Sequence, residues 1–395
     1  MPPITLLLDL DDTLLDTNMQ AFVPAYFSAL ASALSDSVSP EMMLPALMGG
    51  TKAMMQNQDP ALTLREVFDA YFFPKLGLER AALQGKIDRF YDEEFPSLAH
   101  VASRRPEAVE FVHWAFEAGH RVAIATNPYF PLKAVHHRMR WAGLPPEEYD
   151  FALVSSYETF HFTKEFQAYF TEFLAQLGWP EDPVVMIGND LQMDLLPARK
   201  AGLPVFWMRV GQDGDHSDIP QGSFADLRAW LETTDPAAIT LTFSTPDSIL
   251  NNLRSIPAAL ATLTANLAPY AWASRPGPEE WCPTEILCHL RDVDAEVNLP
   301  RIEKLLGEDN PFLPGVVSDD WAHVRNYAAQ DGRLALADFV EARKRLIGLL
   351  GGDQSHWSRP ARHAIFGPTT LLELAGFMAG HDRAHIQQIW KTIRA

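Results

Sequence analysis

Short aliphatic runs separated by amphipathic helical patterns constrain this chain more than any other feature. They are "ITLLLDLD" at 4–11, "HRVAIATN" at 120–127, "FALVSS" at 151–156, "VVMIGND" at 184–190 and "PVFWMRV" at 204–210. Helix-period segments such as "RPEAVEFVHWAFEAG" and "KEFQAYFTEFLAQLG" lie between them. Strands alternating with helices predict an α/β, Rossmann-like parallel sheet covered on both faces. Ligands in such sheets sit beyond the carboxyl ends of the strands. Asp9, Thr126 and Asp190 each stand at or just after the end of an apolar run.

Between the first two runs, about residues 17–100 are rich in Ala, Leu, Met and Phe with helical periodicity. That span is too long for a crossover and reads as an inserted helical cap, where substrate choice would be made. The pattern changes near 232–246, which reads as a linker. From Pro246 onward four long helical patterns follow, predicting an all-α four-helix bundle. The expected division is therefore 1–235 and 246–395, in keeping with 395 residues exceeding what one core usually organises.

The formal net charge of -19 argues against a nucleic-acid-binding surface or an anionic membrane partner, while leaving room for a local basic pocket that takes a phosphorylated small molecule. The two cysteines, Cys282 and Cys288, make no disulfide framework. The first apolar run lacks a basic leader, and no stretch reaches the roughly 20 apolar residues of a membrane span. The expectation is a soluble cytoplasmic protein.

The first run ends in Asp9, Asp11 and Asp12, like charges that raise one another's pKa unless something positive joins them. Thr126 closes a second run, Lys164 follows a third, and "GNDLQMD" follows a fourth. Neighbouring strands would bring Asp9, Asp11, Asp190 and Asp194 into one small volume, which a hard divalent cation with oxygen ligands stabilises. This ordered set, Asp9-x-Asp11-x-Thr13, Thr126, Lys164 and the Gly188-Asn-Asp190-x-x-x-Asp194 segment, resembles the haloacid dehalogenase-like (HAD) hydrolase superfamily over about residues 1–235.

The resemblance implies that Asp9 is a nucleophile forming an aspartyl-phosphate and that Asp11 is its acid and base. Thr126 would bind the phosphoryl group, and Lys164 would balance its charge. Magnesium would sit on Asp9, the Asp11 carbonyl and an acid of the fourth motif. Asn127 is a further candidate for positioning the phosphoryl group. Two features depart from the family pattern: Gly188 is followed by Asn189 before Asp190, and Lys164 lacks a following proline. Whether Asn189, Asp190 or Asp194 meets the metal directly stays open. Dehalogenases in the superfamily lack the second aspartate, so Asp11 favours phosphate chemistry. A phosphomutase is a minor alternative. Phosphonate cleavage would need a cap lysine, and Lys52, Lys75 and Lys86 carry no distinguishing context. His136 and His137 read as helix surface.

Near the C-terminus "GHDRAHIQQIW" puts His381 and His385 four residues apart, on one helix face. "WCPTEILCHLRDVD" places His289 on an apolar face of an earlier helix. Three histidines from two helices match a three-nitrogen metal site with an open fourth position. With "ARHAIFGPTTLLEL", these segments resemble the DinB-like family of four-helix metalloproteins over about residues 246–395. The resemblance implies nickel, zinc or another divalent transition metal on His289, His381 and His385, with Asp382 or Glu285 orienting a ligand. Cys288 reads as core packing.

The expected activity is magnesium-dependent hydrolysis of a small phosphorylated metabolite. The alternatives are a thiol-dependent transferase or hydrolase in the bundle, and a non-enzymatic metal or ligand sensor. The resemblance of the bundle to dimerising relatives makes a homodimer a further expectation.

Overall fold

The computed structural model describes residues 2–209, 218–318 and 320–395. The run expected at 204–210 therefore ends on a residue outside them. Five parallel strands form the main sheet: β1 (Thr5–Leu8), β2 (Arg121–Ile124), β3 (Val184–Gly188), β4 (Val205–Met208) and β5 (Gln221–Gly222). Their order is β2-β1-β3-β4-β5. Leu8 is in register with Ile124 on one side and Ile187 on the other, so the carboxyl ends of three strands are level. That alignment brings Asp9, Thr126 and the segment after Gly188 to one edge.

One face of the sheet is closed by helices 106–117, 132–142 and 224–233, which bury Phe111, Val112, Val135, Met139, Phe224 and Leu227 against Leu6, Leu8, Val122, Ile124 and Ile187. The aliphatic runs are buried on both faces, which is why they read as continuous apolar stretches rather than alternating ones. One expected strand is corrected. In "FALVSS" only Val154 bridges to the sheet, opposite Ile124. Backbone bonds from Ala152 to Val122 and from Ser155 to Ile124 hold the run against β2, but the Ser155 hydroxyl turns to the Thr126 carbonyl (2.7 Å) and the ladder stops.

A helical cap is inserted after β1. Its helices are Met19–Ala33, Pro40–Gln56, Leu64–Leu76 and Arg80–Arg89, and the short antiparallel pair Leu15–Thr17 and Ala102–Arg104 forms its base. An aromatic cluster of Phe22, Tyr26, Phe72, Phe90, Tyr91 and Phe95 fills its interior, and the buried Tyr26 and Tyr91 hydroxyls pair at 2.8 Å.

The C-terminal part is a four-helix bundle: Pro246–Thr264, Pro283–Val293 with its continuation through Leu299–Gly307, Gly332–Leu350, and Leu371–Thr392. Capping boxes start the first and last helices, with Thr245 paired to Ser248 and Thr370 to Glu373. Ile249, Leu253, Ile302, Leu346, Leu374 and Met378 form its core. A small sheet of Phe312–Leu313, Pro360–His363 and Gly367–Thr370, which helical periodicity did not signal, is added to the bundle. The chain separates into two compact units. One comprises 1–169, 180–199 and 203–241; the other comprises 170–179, 200–202 and 242–395. Among the described residues, no helix is long and apolar enough to cross a membrane.

Candidate functional site

The edge of the sheet in the first unit answers the question posed by the aspartates. Asp9 is buried, and its backbone N–H bonds to the Ile187 carbonyl (2.9 Å), fixing it between β1 and β3. Lys164 Nζ lies 2.5 Å from Asp9 Oδ1 and 2.6 Å from Asp194 Oδ1. Burial alone would lower the lysine's pKa, but Asp194 and Asp9 outweigh it and hold the ammonium well above its usual range. Burial, and then the charge of Asp9, push the Asp194 carboxyl up to about 7 against the pull of Lys164. Two buried carboxylates thus share one buried ammonium, and the pair remains short of positive charge.

Gly188 makes this approach possible. A Cβ there would stand 2.3 Å from Asp194 Oδ2, so any side chain would displace the carboxylate. Asp194 sits on a π-helical turn, Leu191–Leu195, and its Oδ2 accepts the Asp190 N–H at 3.0 Å. Asp190 itself is exposed and caps that turn, its Oδ1 accepting from the N–H groups of Gln192 and Met193. The Thr13 hydroxyl lies 3.0 Å from both Asp9 Oδ2 and Asn189 Oδ1. Asn189 and Asp194 therefore face Asp9, and Asp190 Oδ1 is committed to the backbone.

Thr126 is buried, and its carbonyl accepts from the hydroxyls of Ser155 (2.7 Å) and Tyr169 (2.9 Å). Asn127 Oδ1 accepts the Lys164 N–H at 3.3 Å, so it positions the lysine loop. Asp11 accepts a hydrogen bond from the Thr17 hydroxyl (2.8 Å) and forms an ion pair with Arg138. Asp12, at φ +56°, reverses the chain immediately after it.

Arg138 was missed by sequence reasoning. It lies on the helix Leu132–Ala142, 1% exposed, with its guanidinium carbon 5.6 Å and 5.2 Å from the ring centroids of Phe22 and Phe130. Burial lowers its pKa to about 10, partly offset by Asp9. The signal available was its place in "HHRMRW", next to the half-buried His136 and His137.

A hard divalent cation fits the donor chemistry of this edge. Asp9, Asn189 and Asp194 offer oxygen ligands, and the raised pKa of Asp194 marks the charge such an ion would neutralise.

In the second unit, His289, His381 and His385 form the one group, among the described residues, of three or more His, Cys, Asp or Glu whose ligand atoms all lie within 4.8 Å. His381 Nε2 is 3.1 Å from His289 Nε2 and 3.2 Å from His385 Nε2. A tetrahedral ion with bonds of about 2.0–2.1 Å would hold such nitrogens about 3.3 Å apart. Burial, then the neighbouring histidines, lower His289 to about 3 and His385 to about 4, keeping both imidazoles neutral as metal ligands must be. The donor set therefore fits a divalent transition metal.

His385 Nδ1 is paired with Gln388 Oε1 at 2.8 Å, and Asp382 Oδ1 lies 3.8 Å from His381 Nδ1. Asp382 is in turn bound by Arg343, which also holds Asp294 (2.6 Å and 2.7 Å). Glu285 is occupied elsewhere, closing the capping box at Cys282 and pairing with Arg275, so of the two orienting candidates only Asp382 stands beside one of the three histidines. Cys288 is buried, donates to Gln330, and is pushed up to about 11, chiefly by burial.

Two family models match the chain, one in each half. The model for haloacid dehalogenase-like hydrolases matches residues 5–202, and that for the DinB superfamily matches residues 252–389. No curated protein matches the chain. Among solved structures, a HAD phosphatase from Thermococcus onnurineus is 17% identical, covering 58% of this chain and 98% of its own, at a TM-score of 0.37. A 2-haloacid dehalogenase from Pseudomonas syringae pv. Tomato DC3000 is 21% identical over 59% and 99%, at 0.42. YfiT from Bacillus subtilis, a four-helix bundle of unusual topology, is 17% identical over 49% and 97%, at 0.35.

Proposed function

Because the chain belongs to the haloacid dehalogenase-like hydrolase family, we propose that it is a phosphohydrolase acting on a small phosphomonoester through Asp9. The observation that carries this reading is the second carboxylate, Asp11, fixed by Thr17 and Arg138 two residues beyond a buried Asp9 that Lys164 and Thr13 hold in place. An Asp9 oxygen attacks phosphorus, and the bond to the leaving oxygen breaks as Asp11, protonated and released from its ion pair with Arg138 for this step, gives that oxygen its proton. Asp11, now a carboxylate, takes a proton from a water that attacks the same phosphorus, and Asp9 is released with inorganic phosphate. Lys164 and Thr126 offset charge on the phosphoryl oxygens. Magnesium would be held by Asp9, the Asp11 carbonyl and the oxygens of Asn189 or Asp194, and when bound supplies charge neutralisation at the phosphoryl group.

Phosphate release from a panel of phosphomonoesters, with magnesium or with chelator, tests the proposal. Asp9→Asn is expected to lower release by at least about 10³-fold. A variant as active as the native protein would refute the assignment.

The converging imidazoles favour a second reading for the bundle alone: a zinc or nickel centre in a thiol-dependent transferase or hydrolase. Cys288 is buried and donates to Gln330, so an external thiol would supply the thiolate. Turnover that survives Asp9→Asn but not His381→Ala would select this reading, and the opposite pattern would select the phosphohydrolase.

A further inference from the structure

A cavity of about 300 Å³ has His381 in its wall. His381 is also the more open end of the triad, with a side chain 36% exposed beside the buried His289. The cavity's body is apolar, formed by Val297, Phe377 and Met378 together with neighbouring aliphatic and aromatic groups. Its volume is that of about ten water molecules, small for a ligand pocket but enough for a compact organic molecule.

Asn298, Ser318 and one cation interrupt this apolar lining. Arg301, on the helix Leu299–Gly307, is half-buried at the wall. One of its nitrogens donates to the Pro314 carbonyl at 2.8 Å. Among the described residues no carboxylate pairs with it, and burial pulls its pKa down with nothing to offset the shift. A desolvated guanidinium left without an anion, facing an apolar cavity, is complementary to a carboxylate on a hydrocarbon body.

We propose that this cavity is the ligand site of the bundle and takes a small organic acid. Its carboxylate binds Arg301, its hydrocarbon body packs on Val297, Phe377 and Met378, and its far end lies against the open side of the metal held by His289, His381 and His385. The assignment rests on reading the three histidines as a metal site, and no bond is made or broken in it.

The test uses the full chain loaded with cobalt(II), whose visible absorption reports the triad directly. Phenylacetate and its neutral amide, phenylacetamide, are titrated while the cobalt spectrum and the heat of binding are followed. Phenylacetate is expected to perturb the spectrum and to bind about tenfold or more tighter than the amide, since the amide lacks the charge-assisted hydrogen bonds. Arg301→Met should weaken phenylacetate to the level of the amide with cobalt loading unchanged, and Arg301→Lys should restore part of the difference. Cobalt bound at the triad with neither compound perturbing it would overturn the cavity assignment while leaving the metal reading intact. Equal binding of phenylacetate by Arg301→Met and the native protein would overturn it too. No cobalt spectrum at all would overturn the metal reading and this proposal together.

Discussion

At the scale of single residues, the carboxylates of the sheet edge stand or fall by their cations. Lys164 serves Asp9 and Asp194, and Arg138 serves Asp11. Replacing Arg138 by Met keeps the side chain's bulk between Phe22 and Phe130 but leaves Asp11 untethered. Phosphate release by Arg138→Met is expected to fall by about tenfold to a hundredfold in kcat, with partial recovery in Arg138→Lys. An unchanged kcat would show the ion pair to be idle. Asp9, Thr126 and Lys164 were legible in the sequence because each follows an aliphatic run. Arg138 was not, since a basic residue in a helical pattern reads as solvent-facing, and only the aromatic rings around it explain its burial. The choice among Asn189, Asp190 and Asp194 was not legible for a related reason: a carboxylate just before a helical turn serves equally as a cap or as a ligand, and here Asp190 Oδ1 caps.

At the scale of elements, two contacts carry most of the testable energetics. Arg343, fully buried on the third bundle helix, donates to Asp294 and Asp382 and to the Leu253 carbonyl (3.0 Å), joining helices that meet nowhere in the sequence. Arg343→Met takes the shared guanidinium from two buried carboxylates and should cost about 3–5 kcal/mol, measured by urea denaturation. A loss within about 0.5 kcal/mol would show that the network contributes nothing net.

In the sheet unit, His120 Nδ1 accepts the Ile4 N–H at 3.2 Å, and burial, its largest influence, holds its pKa below the ordinary value of about 6.5. The folded state therefore keeps His120 neutral while the unfolded chain takes up the proton first. Its contribution is intact above about pH 6.5 and is lost as the pH falls below it, at up to about 1.4 kcal/mol per pH unit. Denaturation midpoints of His120→Asn should fall less steeply below that pH than those of the native protein; parallel curves would contradict the assignment. Helix and strand types were legible from periodicity, but the end of the ladder at Val154 and the hairpin Pro360–Thr370 depend on side-chain and backbone partners far away in sequence.

At the scale of the whole molecule, the change from alternating strands and helices to uninterrupted helices marked the passage between units near residue 241. The placement of 170–179 with the second unit was not legible, because a helix between two sheet strands is read locally as part of the sheet's cover. Within that unit Trp179 explains the grouping: its carbonyl accepts from Gln387 (3.1 Å), and its ring lies 5.4 Å from that of Phe243. The account's central claim is that Asp9 attacks phosphorus and that water then attacks phosphorus, not the Asp9 carboxyl carbon. A single turnover in heavy-oxygen water, with excess enzyme and magnesium, tests it most directly. The label is expected in the released phosphate, with the peptide containing Asp9 unlabelled. Label in the Asp9 carboxylate would mean attack at carbon, the outcome of dehalogenase-type ester hydrolysis, and would contradict this claim.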